Sequence, residues 1–514
     1  MKHSRTEYSL MNISTGFGGY FINALLGYIC RIVFVKCLNA DYLGANGLFS
    51  NILSMLSLAE LGIGSAIGFA LYKPLAEDDK SKITALMRFY GRAYQIIGVV
   101  VAVCGLLMMP FLGVIIKTPP NISENLYVIY LLFLFNTAST YFFSYRGTLL
   151  TAAQRNYIVL GLNYVVTCIQ SIIQIPLLLL THNYLIYLLV QTVGIFINNV
   201  LISWIAKREY PFIQSDDVEP LSKEEKRGLF INIKALTINK LSAILVNSTD
   251  NIVITFLNGL VSVGMASNYT LLSNTLKALV TQLFNSLTAS IGNLNAIESD
   301  EKKYQFFKMF NLTNFWIFGW GAIGIALVSG DIVQLCFGKE YVLEMSIPII
   351  LAVNFYMVGM QTAVYAYKNT MGLFRYGQYI LLITATINLV LDFVLGVRWG
   401  VVGIYLATAI ARLFTNTWYE PYAVFKYGLQ KPFKLYVKKY IEYLLLLLFT
   451  GSICYFLCIL CTFHAVVNLL LKLLICSIVP NMIFFCCYYK TEEGKYLVEM
   501  ILRICKKILH IGKL

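Results

Sequence analysis

Two apolar runs near the end of the chain decide its class: residues 441–462 read IEYLLLLLFTGSICYFLCILCT, and residues 465–488 read AVVNLLLKLLICSIVPNMIFFCCY. A helix that crosses the hydrocarbon core of a bilayer needs roughly 20 predominantly apolar residues, and each run supplies that length. Only two residues separate the runs, so together they predict a pair of antiparallel transmembrane helices. Similar runs recur along the whole chain of 514 residues.

The overall composition agrees with these two runs. Apolar residues make up 58% of the chain, charged residues 13%, and the mean hydropathy is +0.70. Soluble domains are typically about 45–50% apolar and about 25% charged, so the composition excludes a soluble enzyme, a disulfide scaffold and a disordered chain. The net charge of +14 could suggest nucleic-acid binding. We do not expect a nucleic-acid partner, because excess Lys and Arg in a membrane protein usually reports topology.

The hydropathy pattern predicts an all-α integral membrane protein with about 14 transmembrane helices. The predicted spans are 14–36, 44–72, 94–116, 124–145, 157–180, 183–206, 229–257, 262–290, 307–330, 346–367, 377–397, 399–424, 441–462 and 465–488. The second, seventh and eighth spans are rich in Ser, Asn, Gly and charge. We therefore expect these three to line a wet cavity rather than to face lipid.

The positions of Lys and Arg predict the orientation of the spans. With 14 spans, 30 basic residues fall on the side of both termini and only four, Lys36, Lys117, Lys339 and Arg398, fall on the other. Basic loops lie in the cytoplasm, so both termini are predicted to be cytoplasmic. One missed or extra helix would have scrambled this alternation.

An internal repeat predicts how the spans are organised. At a shift of 222 residues, YRGTLLTAAQRNYI from Tyr145 aligns with YKNTMGLFRYGQYI from Tyr367. At a shift of 220, LGANGLF from Leu43 aligns with VGMASNY from Val263, which places Gly44 on Gly264. The period equals six spans plus a linker, which describes two six-helix lobes as parallel repeats, plus two extra C-terminal helices.

The repeat divides the chain into five predicted parts. They are an N-lobe at 1–206, a polar cytoplasmic linker at 207–228, a C-lobe at 229–426, the two extra spans at 427–489 and a cytoplasmic tail at 490–514. The tail places Leu497, Ile501, Ile504 and Ile508 on one helical face and most of its basic residues elsewhere. This pattern predicts a basic amphipathic helix that lies on the anionic inner leaflet.

Ionisable residues inside the spans are the candidate functional residues, because a charge at the membrane centre costs at least about 2.5–3.5 kcal/mol. The predicted basic residues of a central cationic cavity are Arg31, Lys234, Lys240, Lys277 and Arg412. The predicted counter-charges or gating residues are Glu60, Asp250 and Asp392. A sixth base, Lys472, lies outside the repeats, and we expect it to snorkel or to form a peripheral pair.

The excess of cations predicts an anionic substrate, because Lys and Arg both bind phosphate oxygens. The alternative is that these charges form lateral salt bridges that only lock helices, such as Arg31 with Glu60, or Asp250 with a neighbouring Lys. Twelve cysteines lie mostly inside apolar runs. We interpret them as small buried residues and predict no metal, disulfide or cofactor from them.

Two stretches resemble a known family. The segment ADYLGANGLFSNILSMLSLAELGIGSAI, residues 40–67, is similar to the second-helix signature of bacterial O-antigen and capsule flippases. The segment VNSTDNIVITFLNGLVSVGMASNY, residues 246–269, resembles the seventh and eighth helices of the same family. Gly259-Leu260 follows the family pattern, whereas Met265 stands where the family usually has Tyr. The family is the Wzx-like polysaccharide transporters of the multidrug/oligosaccharidyl-lipid/polysaccharide (MOP) flippase superfamily.

The resemblance implies a function. It implies a flippase that moves an undecaprenyl-diphosphate-linked oligosaccharide from the inner to the outer leaflet of the bacterial plasma membrane by alternating access. It also implies that Arg31 and Asp250 stand where the family carries basic and acidic residues. Expected partners are the lipid-linked substrate, membrane lipids, and a polysaccharide polymerase and glycosyltransferases that handle the same repeat unit.

Two other functions remain open at this stage. A membrane glycosyltransferase or polysaccharide polymerase would need acid/base or metal-binding groups at the membrane face, but the outer loops are short and carry no DxD-like pair. A multidrug cation antiporter of the same superfamily would need a cavity of the opposite sign. We therefore predict a transporter that is not an enzyme. Membrane potential, protons and sodium remain alternative driving forces.

Overall fold

The computed structural model describes residues 5–60, 62–116, 120–215, 220–297, 299–373, 376–377 and 379–499. Side chains outside the description include most of those at 231–248 and 282–298. The described residues form helices and connecting turns without a strand. The predicted all-α membrane fold is confirmed.

Seventeen α-helices follow one another in the described part of the chain. The first nine are α1 (Arg5–Cys37), α2 (Ala40–Leu56), α3 (Ile63–Glu77), α4 (Lys80–Met108), α5 (Leu112–Ile115), α6 (Leu126–Tyr141), α7 (Tyr145–Ala152), α8 (Asn156–Thr181) and α9 (Tyr184–Glu209). The other eight are α10 (Lys223–Asn258), α11 (Leu260–Ile297), α12 (Asp300–Phe337), α13 (Ser346–Thr370), α14 (Ile380–Phe414), α15 (Asn416–Ala423), α16 (Lys434–Ile459) and α17 (Ala465–Tyr488).

Each of the 14 predicted spans falls on one or more of these helices. Within the described residues, nine helical segments are long and apolar enough to cross a membrane, and the pair α6 and α7, bent by 48°, makes a tenth. The remaining spans escape this test for physical reasons. Helices α10 and α11 are long but polar, α2 and α3 are separated by a break, and α14 joins two spans in one segment.

Two breaks change the predicted spans. The second span, predicted as continuous over 44–72, is interrupted by a 3₁₀ turn at Ser57–Glu60 and by Gly62, whose φ of +87° is left-handed. Glycine adopts this conformation without a steric penalty. Helix α14 reverses at Gly400 (φ +57°, ψ −138°), so its two halves pack as an antiparallel hairpin. This reversal lies close to the predicted boundary between the eleventh and twelfth spans.

The chain divides into two compact units, Met1–Ser267 and Asn268–Leu514. In the first unit, an aromatic cluster that includes Tyr90, Tyr94 and Tyr145 joins α3, α4 and α7. Helix α10 packs on α2 and α3 within this unit. The predicted lobe boundaries stay predictions, because the repeat was read from sequence alone.

The first unit contains a very close helix crossing. A Cβ added at Gly264 of α11 would lie 2.2 Å from the carbonyl oxygen of Ala40, and one added at Gly44 of α2 would lie 2.1 Å from that of Leu260. Only glycine allows this approach, as in other membrane helix pairs that pack through small residues. These are the two glycines that the internal repeat aligned.

The predicted linker belongs to the first unit and packs on its helices. A 3₁₀ turn at Pro211–Gln214 contacts α4, and Arg88 donates a hydrogen bond to the carbonyl of Ser215 at 2.8 Å. Ser222 begins α10 with a capping box, which satisfies free backbone N–H groups at the helix start. The tail is helical over 492–499, and the rest of the predicted amphipathic helix, 500–514, lies outside the described residues.

The second unit has an aromatic core. The rings of Phe315 and Tyr443 stack at 4.3 Å between centroids, and Phe484 packs against Phe315 at 4.9 Å. These contacts join α12 to α16 and α17. The two C-terminal helices are therefore part of the second unit and pack on α12. Helix α16 also lines a groove together with α13 and α14.

Thiol labelling in intact cells tests the predicted orientation. In a parent carrying Cys486→Ser and Cys487→Ser, we expect Lys339→Cys and His464→Cys to react with an impermeant maleimide. Ser215→Cys and Gln430→Cys should react only after permeabilisation, because the charge pattern places them in the cytoplasm. Labelling of Ser215→Cys from outside would contradict the orientation and the count of spans before it.

Candidate functional site

Two of the predicted anion-binding residues lie within electrostatic reach of each other in the second unit. Lys277 of α11 is half-buried, and it lies within electrostatic reach of Arg412, which extends from the second half of α14 and is 8% exposed. The phenol of Tyr365 on α13 is a further neighbour of Arg412. Like charges within reach of each other repel, and an anion bound between Lys277 and Arg412 would reduce that repulsion.

Among the described residues, the electrostatic neighbour of Lys277 is Arg412. The ammonium group of Lys277 would act on phosphate oxygens as a point charge. The guanidinium of Arg412 adds a planar set of donors that suits two oxygens of one phosphate. Both residues were predicted from the sequence as anion-binding residues, and their role in binding stays a prediction.

A buried polar seam lies inside the α14 hairpin. Asp392 is fully buried, and Asn388 donates hydrogen bonds to its Oδ1 at 2.9 Å and to Thr408 Oγ1 at 3.2 Å. Thr384 and Thr415 continue the seam, with their hydroxyl oxygens 2.7 Å apart. Asn388 thus presents its amide N–H groups to both Asp392 and Thr408, which satisfies part of the hydrogen-bonding capacity of the buried carboxylate.

Arg31 lies in a tyrosine-rich part of the first unit. It donates a hydrogen bond to Ser267 Oγ on α11, and Tyr28, Tyr184 and Tyr187 are its electrostatic neighbours. The hydroxyl of Ser267 in turn donates to the carbonyl of Gly264 at 2.6 Å. Arg31 is thereby tied to the glycine crossing of α2 and α11.

Glu60 occupies the 3₁₀ turn between α2 and α3. The hydroxyl of Tyr94 donates a hydrogen bond to its Oε1, and Tyr141 is a second hydroxyl neighbour. A Cβ at Gly64 would lie 2.8 Å from the hydroxyl of Tyr90, so the glycine makes room for this cluster. The described contacts of Glu60 are therefore tyrosine hydroxyls, whereas the alternative considered from sequence was a salt bridge to Arg31.

Three predicted residues lie on α10. Asp250 is half-buried in the part of α10 that belongs to the first unit. The side chains of Lys234 and Lys240 lie outside the described residues. Lys472, predicted to snorkel or to pair peripherally, forms a two-pronged ion pair with Asp331 at 2.8 and 2.9 Å.

The sequence interpretation missed a buried ion pair. Lys368 Nζ lies 2.5 Å from Glu420 Oε2, and the two side chains are 10% and 1% exposed. Glu420 stands within the predicted twelfth span, and this position was the available signal. Asn388 and Thr408 were missed as well, because neutral polar residues do not stand out in a charge census.

We expect this ion pair to contribute to stability. Lys368→Met should lower the free energy of unfolding by about 3 kcal/mol, because it leaves the Glu420 carboxylate buried without its partner. The double variant Lys368→Met/Glu420→Leu should recover most of that loss, since no buried charge remains. Thermal unfolding of the purified protein in detergent gives the ranking. A double variant as unstable as the single one would contradict a role confined to charge compensation.

The fold is shared with solved transporters. The lipid II flippase MurJ, in an inward closed conformation, has a TM-score of 0.63 over 92% of this chain and 99% of that chain, at 14% identity. An inward-facing multidrug resistance MATE family transporter of the MOP superfamily has a TM-score of 0.55 over 76% and 92%, at 14% identity. A MOP superfamily transporter from Pyrococcus furiosus has a TM-score of 0.52 over 84% and 100%, at 12% identity.

These comparisons define a class. The chain is a multi-pass membrane protein with the fold of MOP-superfamily transporters. At such low identities the likeness concerns the fold alone. No protein-family model and no curated protein matches the sequence. The resemblance to Wzx-like polysaccharide transporters therefore stays a prediction.

Proposed function

We propose that this protein is a flippase that translocates an undecaprenyl-diphosphate-linked oligosaccharide across the bacterial plasma membrane by alternating access. The observation that carries the proposal is the pair of cations formed by Lys277 and Arg412. A diphosphate would neutralise both, and a cationic drug would add to their repulsion. The shared fold with a lipid II flippase supports a lipid-linked substrate.

An apolar groove in the second unit suits the polyprenyl chain of such a substrate. It has a volume of about 640 Å³ and lies among α12, α13, the second half of α14 and α16. Its walls include Ala326, Met357, Ala409 and Leu448. Ala409 stands three residues before Arg412 on α14, so one helix carries both the groove wall and a phosphate ligand.

The membrane potential could drive this transport without an ion. A diphosphate with two negative charges gains about 4.6 kcal/mol on moving outward through 100 mV, inside negative. The carboxylates Glu60, Asp250 and Asp392 then act as counter-charges or gating groups. Cation coupling through the Asp392 seam is the alternative, and replacing sodium by choline during a transport assay separates the two.

Deletion of the gene tests the substrate class. We expect lipid-linked oligosaccharide to accumulate on the cytoplasmic leaflet and surface polysaccharide to fall, and mass spectrometry of the accumulated lipid would identify the sugar. Loss of the completed oligosaccharide itself would instead favour the glycosyltransferase alternative. Unchanged lipid-linked sugars together with hypersensitivity to cationic drugs would favour the antiporter. Co-purification would test the proposed polymerase and glycosyltransferase partners.

A further inference from the structure

An aromatic and basic groove lies on the side of the second unit that the charge pattern places in the cytoplasm. This open groove has a volume of about 830 Å³ and lies between the end of α15 and the start of α16. Its lining residues are Tyr422, Lys426, Tyr427, Gln430, Lys431, Pro432 and Phe433. None of them belongs to the Lys277 and Arg412 pair.

The backbone of this groove is unusual. Residues Val424–Gly428 form a π-helix, a rare element that often marks functional sites. Gln430 has a φ of +52°, in the left-handed region that a residue with a side chain rarely adopts. Such backbone strain persists only where the surrounding structure holds it in place.

A lysine at the mouth of the groove is held by aromatic groups. Lys426 Nζ donates a hydrogen bond to Tyr422 Oη at 2.7 Å and lies 5.2 and 5.3 Å from the ring centroids of Tyr422 and Tyr427. Lys426 is exposed and forms no ion pair within the described residues, whereas Lys431 beside it pairs with Glu301 at 2.6 Å. Within the described residues, aromatic groups contact this ammonium group and no carboxylate neutralises it.

Flat aromatic surfaces stand next to this charge. The rings of Tyr376 and Tyr427 stack at 4.0 Å, and both side chains remain more than one-third exposed. Phe433 packs edge-on against Tyr422 at 5.7 Å between centroids. A sugar ring presents a flat C–H face to such rings, and dispersion and apolar burial hold it there as they hold aromatic pairs.

We propose that this groove is a docking site for the glycosyl diphosphate head group of a lipid on the cytoplasmic leaflet. Lys426 binds a phosphate oxygen, and the exposed faces of Tyr376 and Tyr427 contact the sugar. Basic pockets on the cytoplasmic side of membrane proteins commonly bind phosphate head groups, and the aromatic walls add a preference for a glycosylated one. The inference rests on the proposed function and names where its substrate first binds.

Binding measurements in phosphatidylcholine nanodiscs test the site with farnesyl-diphosphate-linked N-acetylglucosamine as the probe. We expect Lys426→Gln to weaken binding about tenfold, the effect of losing one charge-assisted hydrogen bond. Lys434→Gln is the matched control, since Lys434 is exposed on the same side but does not line the groove. The affinity of Lys434→Gln for the probe should stay within twofold of that of the parent protein.

The aromatic part has its own test. Tyr427→Leu should weaken binding of the sugar-bearing probe about fivefold, and Tyr427→Phe should restore it, because the ring rather than the hydroxyl makes the contact. Farnesyl diphosphate without the sugar should respond to Lys426→Gln but not to Tyr427→Leu. Thermal unfolding of each variant checks that the fold is retained.

Several results would overturn the docking site. If Lys426→Gln and Lys434→Gln weaken binding of the probe equally, the effect comes from diffuse surface charge. If phosphatidylglycerol displaces the probe completely, the groove is an ordinary lipid contact. If all variants bind the probe alike while Lys277→Glu still abolishes transport, the docking site falls and the proposed function stands. If the predicted binding pattern is found but the parent protein transports no lipid-linked oligosaccharide, the docking site stands and the proposed function falls.

Discussion

Lys277→Glu is expected to abolish transport while leaving the protein as stable as the parent, or slightly more so. The new carboxylate would lie within electrostatic reach of Arg412 and would replace a repulsion by an attraction. We expect a rise in melting temperature of about 1 °C, equivalent to about 1 kcal/mol in a protein of this size. The same carboxylate would repel the diphosphate, so transport should fall by at least about 100-fold.

Conservative variants separate charge from shape at this site. Lys277→Arg keeps the positive charge and should keep a substantial part of the activity, although it changes the geometry of the donors. Lys277→Gln removes the charge without adding a carboxylate. Its transport activity should lie between those of Lys277→Arg and Lys277→Glu. Flipping rates in proteoliposomes and melting curves of the same preparations measure both properties. A Lys277→Glu variant that transports at the parental rate would remove Lys277 from the binding site.

Gly264→Ala is expected to have the largest effect among the glycine variants. Its Cβ would lie 2.2 Å from the carbonyl oxygen of Ala40, and that backbone atom cannot rotate away as a side chain can. The helices α2 and α11 must therefore separate, at a cost of about 2–3 kcal/mol typical of overpacking. Arg31 should lose its position as well, because its partner Ser267 lies one turn beyond Gly264.

Gly27→Ala is the matched control in the same unit. Its Cβ would meet nothing within 4 Å, and alanine favours a helix over glycine by about 1 kcal/mol. We expect this variant to fold at least as well as the parent and to transport normally. Melting temperature and transport rate should both fall in Gly264→Ala. Neither should fall in Gly27→Ala. Equal behaviour of the two variants would show that the close crossing is not required.

The positions of the helices were largely predictable because hydropathy and charge are local properties of a chain. The reversal near Gly400 was predicted by the boundary between two apolar runs. The interruption at Ser57–Glu60 was not, since a single left-handed glycine at position 62 decides it and the flanking residues remain apolar. A continuous helix and a broken one have nearly the same hydropathy there.

The candidate site was predictable in its charges but not in its contacts. Lys277 and Arg412 stood out as bases inside spans, and each lies within electrostatic reach of the other. The tyrosine hydroxyls beside Glu60 come from α4 and α6, and no local pattern could pair them with it. Asn388 and Thr408 were not predicted for another reason. Their polarity matters only because the α14 hairpin buries them beside Asp392.

The most direct test of the central claim is a leaflet-exchange assay with the purified protein in proteoliposomes. Undecaprenyl-diphosphate-linked oligosaccharide is incorporated, and its appearance on the opposite leaflet is followed by a sugar-modifying enzyme added outside. We expect rapid exchange with the parent protein, none with Lys277→Glu, and no transport of ethidium by either. A parent protein that moves ethidium but leaves the lipid-linked oligosaccharide on its original leaflet would contradict it.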